Sequence, residues 1–68
     1  MLPILLLIAR AAMLSPRLYA ATLAGLRLLQ RQGHKTVTWG QLRDAMIAAG
    51  YGDCVKEHLR KITNALGF

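Results

Sequence analysis

The first fourteen residues constrain the fold of this chain more than any other segment. Residues 1–14 are apolar except for Arg10, and Pro3 fits the first turn of a helix, where a missing backbone N–H does no harm. A helix over Leu2–Leu14 would be apolar on every side, so every side has to be covered. A chain of 68 residues cannot easily do this alone, because a small domain buries only about 60% of its unfolded surface. We therefore expect a homo-oligomer, with a two-fold dimer as the simplest form.

The same segment is too interrupted to span a membrane. Arg10 ends an apolar run of nine residues, and Ser15-Pro16 ends the segment, whereas a spanning helix needs about 20 mostly apolar residues. A secretory signal would carry positive charge ahead of the apolar run, where this sequence has none. The only cysteine, Cys54, excludes an intramolecular disulfide. These features together favour a cytoplasmic protein.

A second helix is predicted over Pro16–Gln32. Ser15 is a good N-cap, Pro16 is a good first residue, and Gly33 is the natural stop. The stripe that this helix would bury recurs at helical spacing and consists of Leu18, Thr22, Gly25, Leu26 and Leu29.

Two shorter helices are predicted in the second half of the chain. Thr38 and Gln41 match a capping box at the beginning of a third helix that Gly50 ends, with Leu42, Ala45, Met46 and Ala49 facing inward. The fourth helix is predicted over Cys54–Leu66, with Asp53 as its N-cap and Gly67 as its stop. Its inward residues are Val55, Leu59, Ile62 and Leu66.

The predicted fold is therefore all-α, a small bundle of three to four short helices in one domain over residues 1–68. It consists of an apolar oligomerisation or partner-binding helix over 1–14, a second helix over 15–33 and a helical hairpin over 38–67. Lys35–Val37 could be extended, but this short strand has no evident partner in the sequence.

Basic charge is concentrated where the acids are missing. The chain has nine Lys and Arg against three Asp and Glu, a net charge of +6. Residues 1–35 contain five of the basic residues and none of the acidic ones, so the remaining 33 residues have a net charge of 4 − 3 = +1. Such a balance is typical of a protein that meets a polyanion, a membrane surface or an acidic protein patch.

The predicted hairpin resembles a helix-turn-helix over residues 39–66, because two short helices are joined by Gly50-Tyr51-Gly52. If Gly50 is the turn glycine of that motif, Met46 occupies a position where a small residue is expected. Lys56 then occupies a position of the apolar core. Both departures count against the motif and favour a plain helical hairpin.

The sequence offers little for catalysis. Ser15 is explained as a cap, and His34 beside Gly33 as a loop residue. Cys54 and His58 would share one helical face, which could give a reactive thiolate or half of a zinc site. Two such residues without an orienting acid do not make a site, so we predict a non-enzymatic protein with no cofactor and no metal.

Three functional hypotheses follow. The first is a small basic regulatory or inhibitory protein that binds another protein, as a homodimer, through aromatic and arginine contacts. The second is a helix-turn-helix-like DNA-binding regulator, and the third is a protein on the membrane surface. The candidate partner-binding residues are Arg17, Tyr19, Trp39, Arg43 and Tyr51; the candidate oligomer interface is Met1, Leu5, Ile8, Ala12 and Met13; the candidate DNA-binding residues are Lys56, Arg60, Lys61 and Asn64.

Overall fold

The computed structural model describes residues 1–68 and has a predominantly helical fold, as predicted. Four α-helices are accompanied by a two-stranded sheet and a π-helical turn, which we call the π turn. In chain order the elements are β1 (Leu2–Pro3), α1 (Ile4–Ala11), α2 (Pro16–Arg31), β2 (Thr36–Val37), α3 (Trp39–Met46), the π turn (Ile47–Tyr51) and α4 (Gly52–Leu66).

The two strands form an antiparallel pair that the sequence analysis missed. Leu2 pairs with Val37 and Pro3 with Thr36. The Ile4 amide extends the pair by donating to the Lys35 carbonyl at 2.9 Å. The expectation that an extended Lys35–Val37 would lack a partner is therefore wrong. Its partner is the segment before α1, so Leu2 and Pro3 are strand residues and the helix begins only at Ile4.

Helix α1 is shorter than predicted and is covered on one side only. It ends at Ala11 rather than Leu14 and buries Ile4, Leu7 and Ala11, while Leu5 on the opposite side is 75% exposed. The chain thus leaves one apolar face of α1 open to solvent.

Arg10, the only charged side chain between residues 1 and 16, does not point into solvent from this open face. Its Nη1 atom donates to the Leu66 carbonyl at the end of α4, at 2.9 Å. A cation is favourable there, because the last carbonyls of a helix have no partner within the helix and carry partial negative charge. Arg10 therefore joins the two ends of the chain in space.

Helix α2 forms the centre of the core, and its predicted inner stripe is buried throughout. Gly25 is the point of closest approach to α3: a Cβ atom added there would lie 2.6 Å from Met46 Cγ and 3.2 Å from Leu42 Cδ1. Only a residue without a side chain lets α3 come this near. The hydroxyl of Thr22, also in this stripe, is buried without a hydrogen-bond partner.

The capping box at the beginning of α3 is confirmed. The backbone N–H of Gln41 donates to Thr38 Oγ1, with 3.2 Å between the two atoms. The backbone N–H of Thr38 donates to Gln41 Oε1 at 2.8 Å. Val37 and Leu42, on either side of the box, are both fully buried. This reciprocal pair satisfies two amides that the helix itself leaves free.

Helix α4 differs from its predicted form at two places. It begins at Gly52, so Asp53 lies in its first turn and is not its N-cap. The backbone at His58 leaves the helical region, with φ −122° and ψ 23°, and the helix is kinked there. The sequence predicted Leu59 to lie on the inner face of this helix. That prediction is wrong: the kink interrupts the helical period, and Leu59 is 43% exposed. In α3 the predicted inner stripe likewise ends early, since Ala49 lies in the π turn and is exposed.

Candidate functional site

The strongest candidate site is the unit formed by α3, the π turn and α4. After α3 ends at Met46, the chain changes direction at Gly50, which has φ 97° and ψ 11°, and Tyr51, which has φ −107° and ψ 26°. Glycine suits this position because a positive φ is strained for residues with a Cβ atom. Helix α2 packs against both α3 and α4. The result is a three-helix unit in which two short helices are joined by a tight connection.

The buried positions of this unit follow the helix-turn-helix pattern one residue earlier than the alignment on Gly50 implies. In that alignment Met46 takes the place of a small residue and Lys56 the place of an apolar one. With the frame moved by one residue, the two places fall on Ala45 and Val55, and both are buried. The same shift moves the place of the turn glycine from Gly50 to Ala49, which lies in the π turn and is exposed. The shifted frame thus replaces the departures at Met46 and Lys56 with one at the turn, where the positive φ belongs to Gly50 and not to Ala49.

Met46 itself is fully buried and causes no conflict with this arrangement. Its side chain lies against Gly25 of α2, so the space that a large residue needs is supplied by the opposite helix. Lys56, the other departure, is exposed. The structure thus explains both residues by their local packing.

The outer face of α4 presents all four residues that the sequence assigned to DNA binding. Lys56 lies before the kink at His58, whereas Arg60 and Asn64 lie one turn apart after it, and all three are exposed. Lys61 is also exposed, and none of the three cations takes part in an ion pair. Asp53 and Glu57 are exposed on the same helix and oppose part of this charge.

The five residues predicted to bind a protein partner lie on three separate elements. Arg17 and Tyr19 are at the beginning of α2, Trp39 and Arg43 are one turn apart on α3, and Tyr51 is in the π turn. The two arginines are exposed and the three aromatic side chains are half-buried. Trp39 also contacts the ring of Phe68, with the centroids 5.7 Å apart, and Arg43 Nε lies 3.2 Å from Asp44 Oδ1.

Four of the five residues assigned to the oligomer interface are exposed, but Met1 precedes β1 and its Sδ atom accepts a bond from the Thr36 hydroxyl of β2 at 3.6 Å. Met1, Leu5 and Met13 are 79%, 75% and 85% exposed, and Ala12 is exposed beside them. Ile8 is the exception, because it is half-buried and packs against the core.

The two histidines lie in different surroundings, and His58 Nε2 is 3.9 Å from Glu57 Oε2. Cys54 is buried in the core and is the third residue of α4, not the first as expected, and His58 lies at the kink of that helix. His34 lines two surface grooves, one together with Asp44 and one together with Lys35, and neither groove contains a serine or cysteine. No group of three or more metal-ligating side chains is brought together.

Two residues that matter for this site were not found from the sequence. Gly25 was assigned only to the buried stripe of α2, although its lack of a side chain is what admits Met46. Val55 was assigned to the core of the fourth helix without being related to Ala45, and the apolar character of these two residues was the signal in the sequence for the shifted frame.

None of the helices combines the length and the apolar character needed to cross a membrane. No protein-family model, no curated protein and no solved structure matches this chain.

Proposed function

We propose that this chain is a small, non-enzymatic DNA-binding regulator in which α3 and α4 act as a helix-turn-helix unit. The observation that carries the proposal is the burial of Ala45 and Val55 on either side of a tight glycine connection. In this motif the first helix lies across the phosphate backbone and the second lies in the major groove. Helix α4 takes the second position.

The residues of α4 suit contacts with both bases and phosphates. The amino-terminal part of the second helix approaches base edges in this geometry, which assigns that role to Lys56, while Arg60 follows beyond the kink at His58. Arg and Lys donate to the acceptors of guanine, and an amide such as that of Asn64 can pair with adenine. We assign a contact with a DNA phosphate to Lys61, on the neighbouring part of the same face. The net charge of +6 adds a long-range attraction to the phosphates of DNA.

The test is fluorescence anisotropy of a labelled, mixed-sequence DNA duplex, titrated with the protein at low and at moderate salt. We expect binding whose association constant falls steeply with salt, because each neutralised phosphate releases counterions. Arg60→Ala and Lys61→Ala should weaken binding, and each should reduce the slope of log K against log salt by about 1 if that side chain contacts a phosphate.

Arg31→Ala is the matched control. It removes the same charge from an exposed position on α2, outside the α3–α4 unit. If Arg31→Ala weakens binding as much as Arg60→Ala, only net charge matters and α4 is not the binding surface. Absence of binding at low salt would refute the proposal altogether.

A second candidate function is the regulation or inhibition of another protein by direct contact. It is favoured by Trp39 and Arg43, which lie one turn apart on α3 with the Arg43 side chain 47% exposed beside Asp44, since tryptophan and arginine dominate binding energies at protein interfaces. Its test uses a purified partner captured by the wild-type chain. Arg43→Ala, Arg17→Ala or Tyr51→Ala should lower affinity for that partner, and unchanged affinity in all three would dismiss this function.

A further inference from the structure

Glu57, on the outer face of α4, is an acid that the packing of the fold does not explain. Its side chain is 71% exposed, and its only ion-pair contact is with His58, whose Nε2 atom lies 3.9 Å from Glu57 Oε2. Lys61, four residues further on, would be the usual helical partner, but the kink at His58 lies between the two and no ion pair forms. Asp53, the other acid of α4, lies in the first turn, where the free amides of a helix favour negative charge. Glu57 is beyond that turn, so those amides do not account for it.

This acid also stands on a surface whose cations would bind phosphates better without it. The chain has only three acids, and two of them are on α4 beside Lys56 and Arg60. A carboxylate near a phosphate repels it and lowers the affinity that the cations supply. If α4 only neutralised phosphates, Glu57 would therefore weaken binding. A carboxylate is favourable where DNA presents hydrogen-bond donors, and these lie on the base edges.

Cytosine is the base whose major-groove edge suits a carboxylate best. It presents the N4 amino group, which is a donor, and no acceptor. Adenine presents an amino donor at N6, but its N7 acceptor lies next to that group and repels a carboxylate. Guanine presents two acceptors, and thymine presents an acceptor and a methyl group. A carboxylate can thus accept from cytosine without a repulsive contact to the same base.

Glu57 is positioned to meet base edges in the geometry proposed for α4. Asp53, Lys56 and Glu57 all lie before the kink, and steps of three and four residues from Asp53 place the other two on the same side of the helix. The amino-terminal part of the second helix is the part that approaches bases in a helix-turn-helix unit. Lys56 can donate to guanine there, while Glu57 accepts from a cytosine at a neighbouring position.

We infer that Glu57 is a specificity-determining residue, which selects cytosine in the DNA sites of α4 by accepting a hydrogen bond from the N4 amino group. The inference rests on the proposed DNA-binding function and adds that binding depends on the sequence of the DNA. Glu57 lowers the affinity for most sequences by its charge and raises the affinity for those that offer it the donor.

The test is a selection of binding sites from a library of duplexes with a randomised central segment, carried out at moderate salt and read by sequencing. The wild-type chain should enrich cytosine at one position or more. Fluorescence anisotropy then measures the contribution of that position. Exchange of the selected C·G base pair for T·A should weaken wild-type binding about tenfold, which is the usual effect of one wrong base pair.

Glu57→Gln keeps the shape of the side chain and removes its charge. It should lose the cytosine preference or shift it to adenine, since an amide pairs with adenine N6 and N7. Its affinity for mixed-sequence DNA should be at least that of the wild type. Asp44→Asn is the matched control, because it removes the same charge from an exposed acid of α3. It should bind mixed-sequence DNA at least as tightly too, but keep the cytosine preference.

The outcomes separate this inference from the proposed function. If the wild type binds no duplex even at low salt, both are refuted. If it binds but enriches no cytosine, or if Glu57→Gln keeps the same preference, α4 binds DNA and Glu57 does not select its sequence. Loss of the preference in Asp44→Asn as well would mean that net charge decides the selection, which also overturns the inference. Both acids are exposed, so neither substitution removes a packed side chain, and circular dichroism checks that both variants are folded.

Discussion

Gly25 offers the most direct test of how the core is built, through the substitution Gly25→Ala. The added Cβ would lie 2.6 Å from Met46 Cγ, 3.1 Å from the Met46 backbone nitrogen and 3.2 Å from Leu42 Cδ1. Carbon atoms in favourable contact are about 3.5–4.0 Å apart, so the first contact is too short by about 1 Å. Rotation of the Met46 side chain can relieve that contact but not the one to its backbone, so α3 itself has to move.

The magnitude follows from two opposing effects. Overpacking a core costs about 1–3 kcal/mol, whereas alanine in place of glycine stabilises a helix by about 1 kcal/mol. Because the backbone contact prevents an easy repacking, we expect the free energy of unfolding to fall by about 1–2 kcal/mol. In a domain of this size that corresponds to a melting temperature lower by roughly 5–15 °C.

The assay is thermal and urea unfolding followed by circular dichroism, with Gly40→Ala as the matched control. Gly40 is also helical, but a Cβ there would meet only Thr38 Oγ1, at 3.9 Å. Its replacement should leave stability unchanged or raise it by up to about 1 kcal/mol. If Gly25→Ala is as stable as the wild type, α2 and α3 are not held at the distance described. In that case the account of how Met46 packs in the α3–α4 unit would be refuted as well.

Two further substitutions test single polar groups. Arg10→Met keeps the apolar stem but loses the bond to the Leu66 carbonyl, so urea unfolding should show a free energy of unfolding lower by about 1–2 kcal/mol. Arg17→Met, at an exposed position, should leave the free energy of unfolding almost unchanged. Equal effects of the two substitutions would mean that the Arg10 bond adds nothing to stability. Thr22→Val removes a buried hydroxyl that has no partner and should raise the free energy of unfolding by about 1 kcal/mol, while a loss of stability would mean that the hydroxyl is bonded after all.

The helices of this chain are predictable where short-range chemistry decides them. Gly33 and Gly67 end helices with φ values of 89° and 85°, as their positions in the sequence indicated. The capping box of Thr38 and Gln41 forms as expected because its two hydrogen bonds span only three residues. Ser15, by contrast, occupies the N-cap position of α2 without making a side-chain hydrogen bond.

What the sequence did not reveal depends on contacts between distant residues. The pairing of Leu2 with Val37 joins segments that no local pattern connects. The partner of Arg10 is a backbone carbonyl 56 residues away. In the candidate site, Lys56, Arg60, Lys61 and Asn64 are exposed, as the spacing of the apolar residues of α4 indicated, whereas nothing in the local sequence revealed the π turn before Gly52.

The short strand pair also has a mechanical consequence. The bond from the Ile4 amide to the Lys35 carbonyl closes a ring that contains α1 and α2. Because Val37 is both the partner of Leu2 and the buried residue just before the capping box of α3, a pull on residue 1 is passed directly to the beginning of α3. The strand pair therefore links residue 1 to the beginning of α3, although Met1 and Trp39 lie 38 positions apart in the sequence.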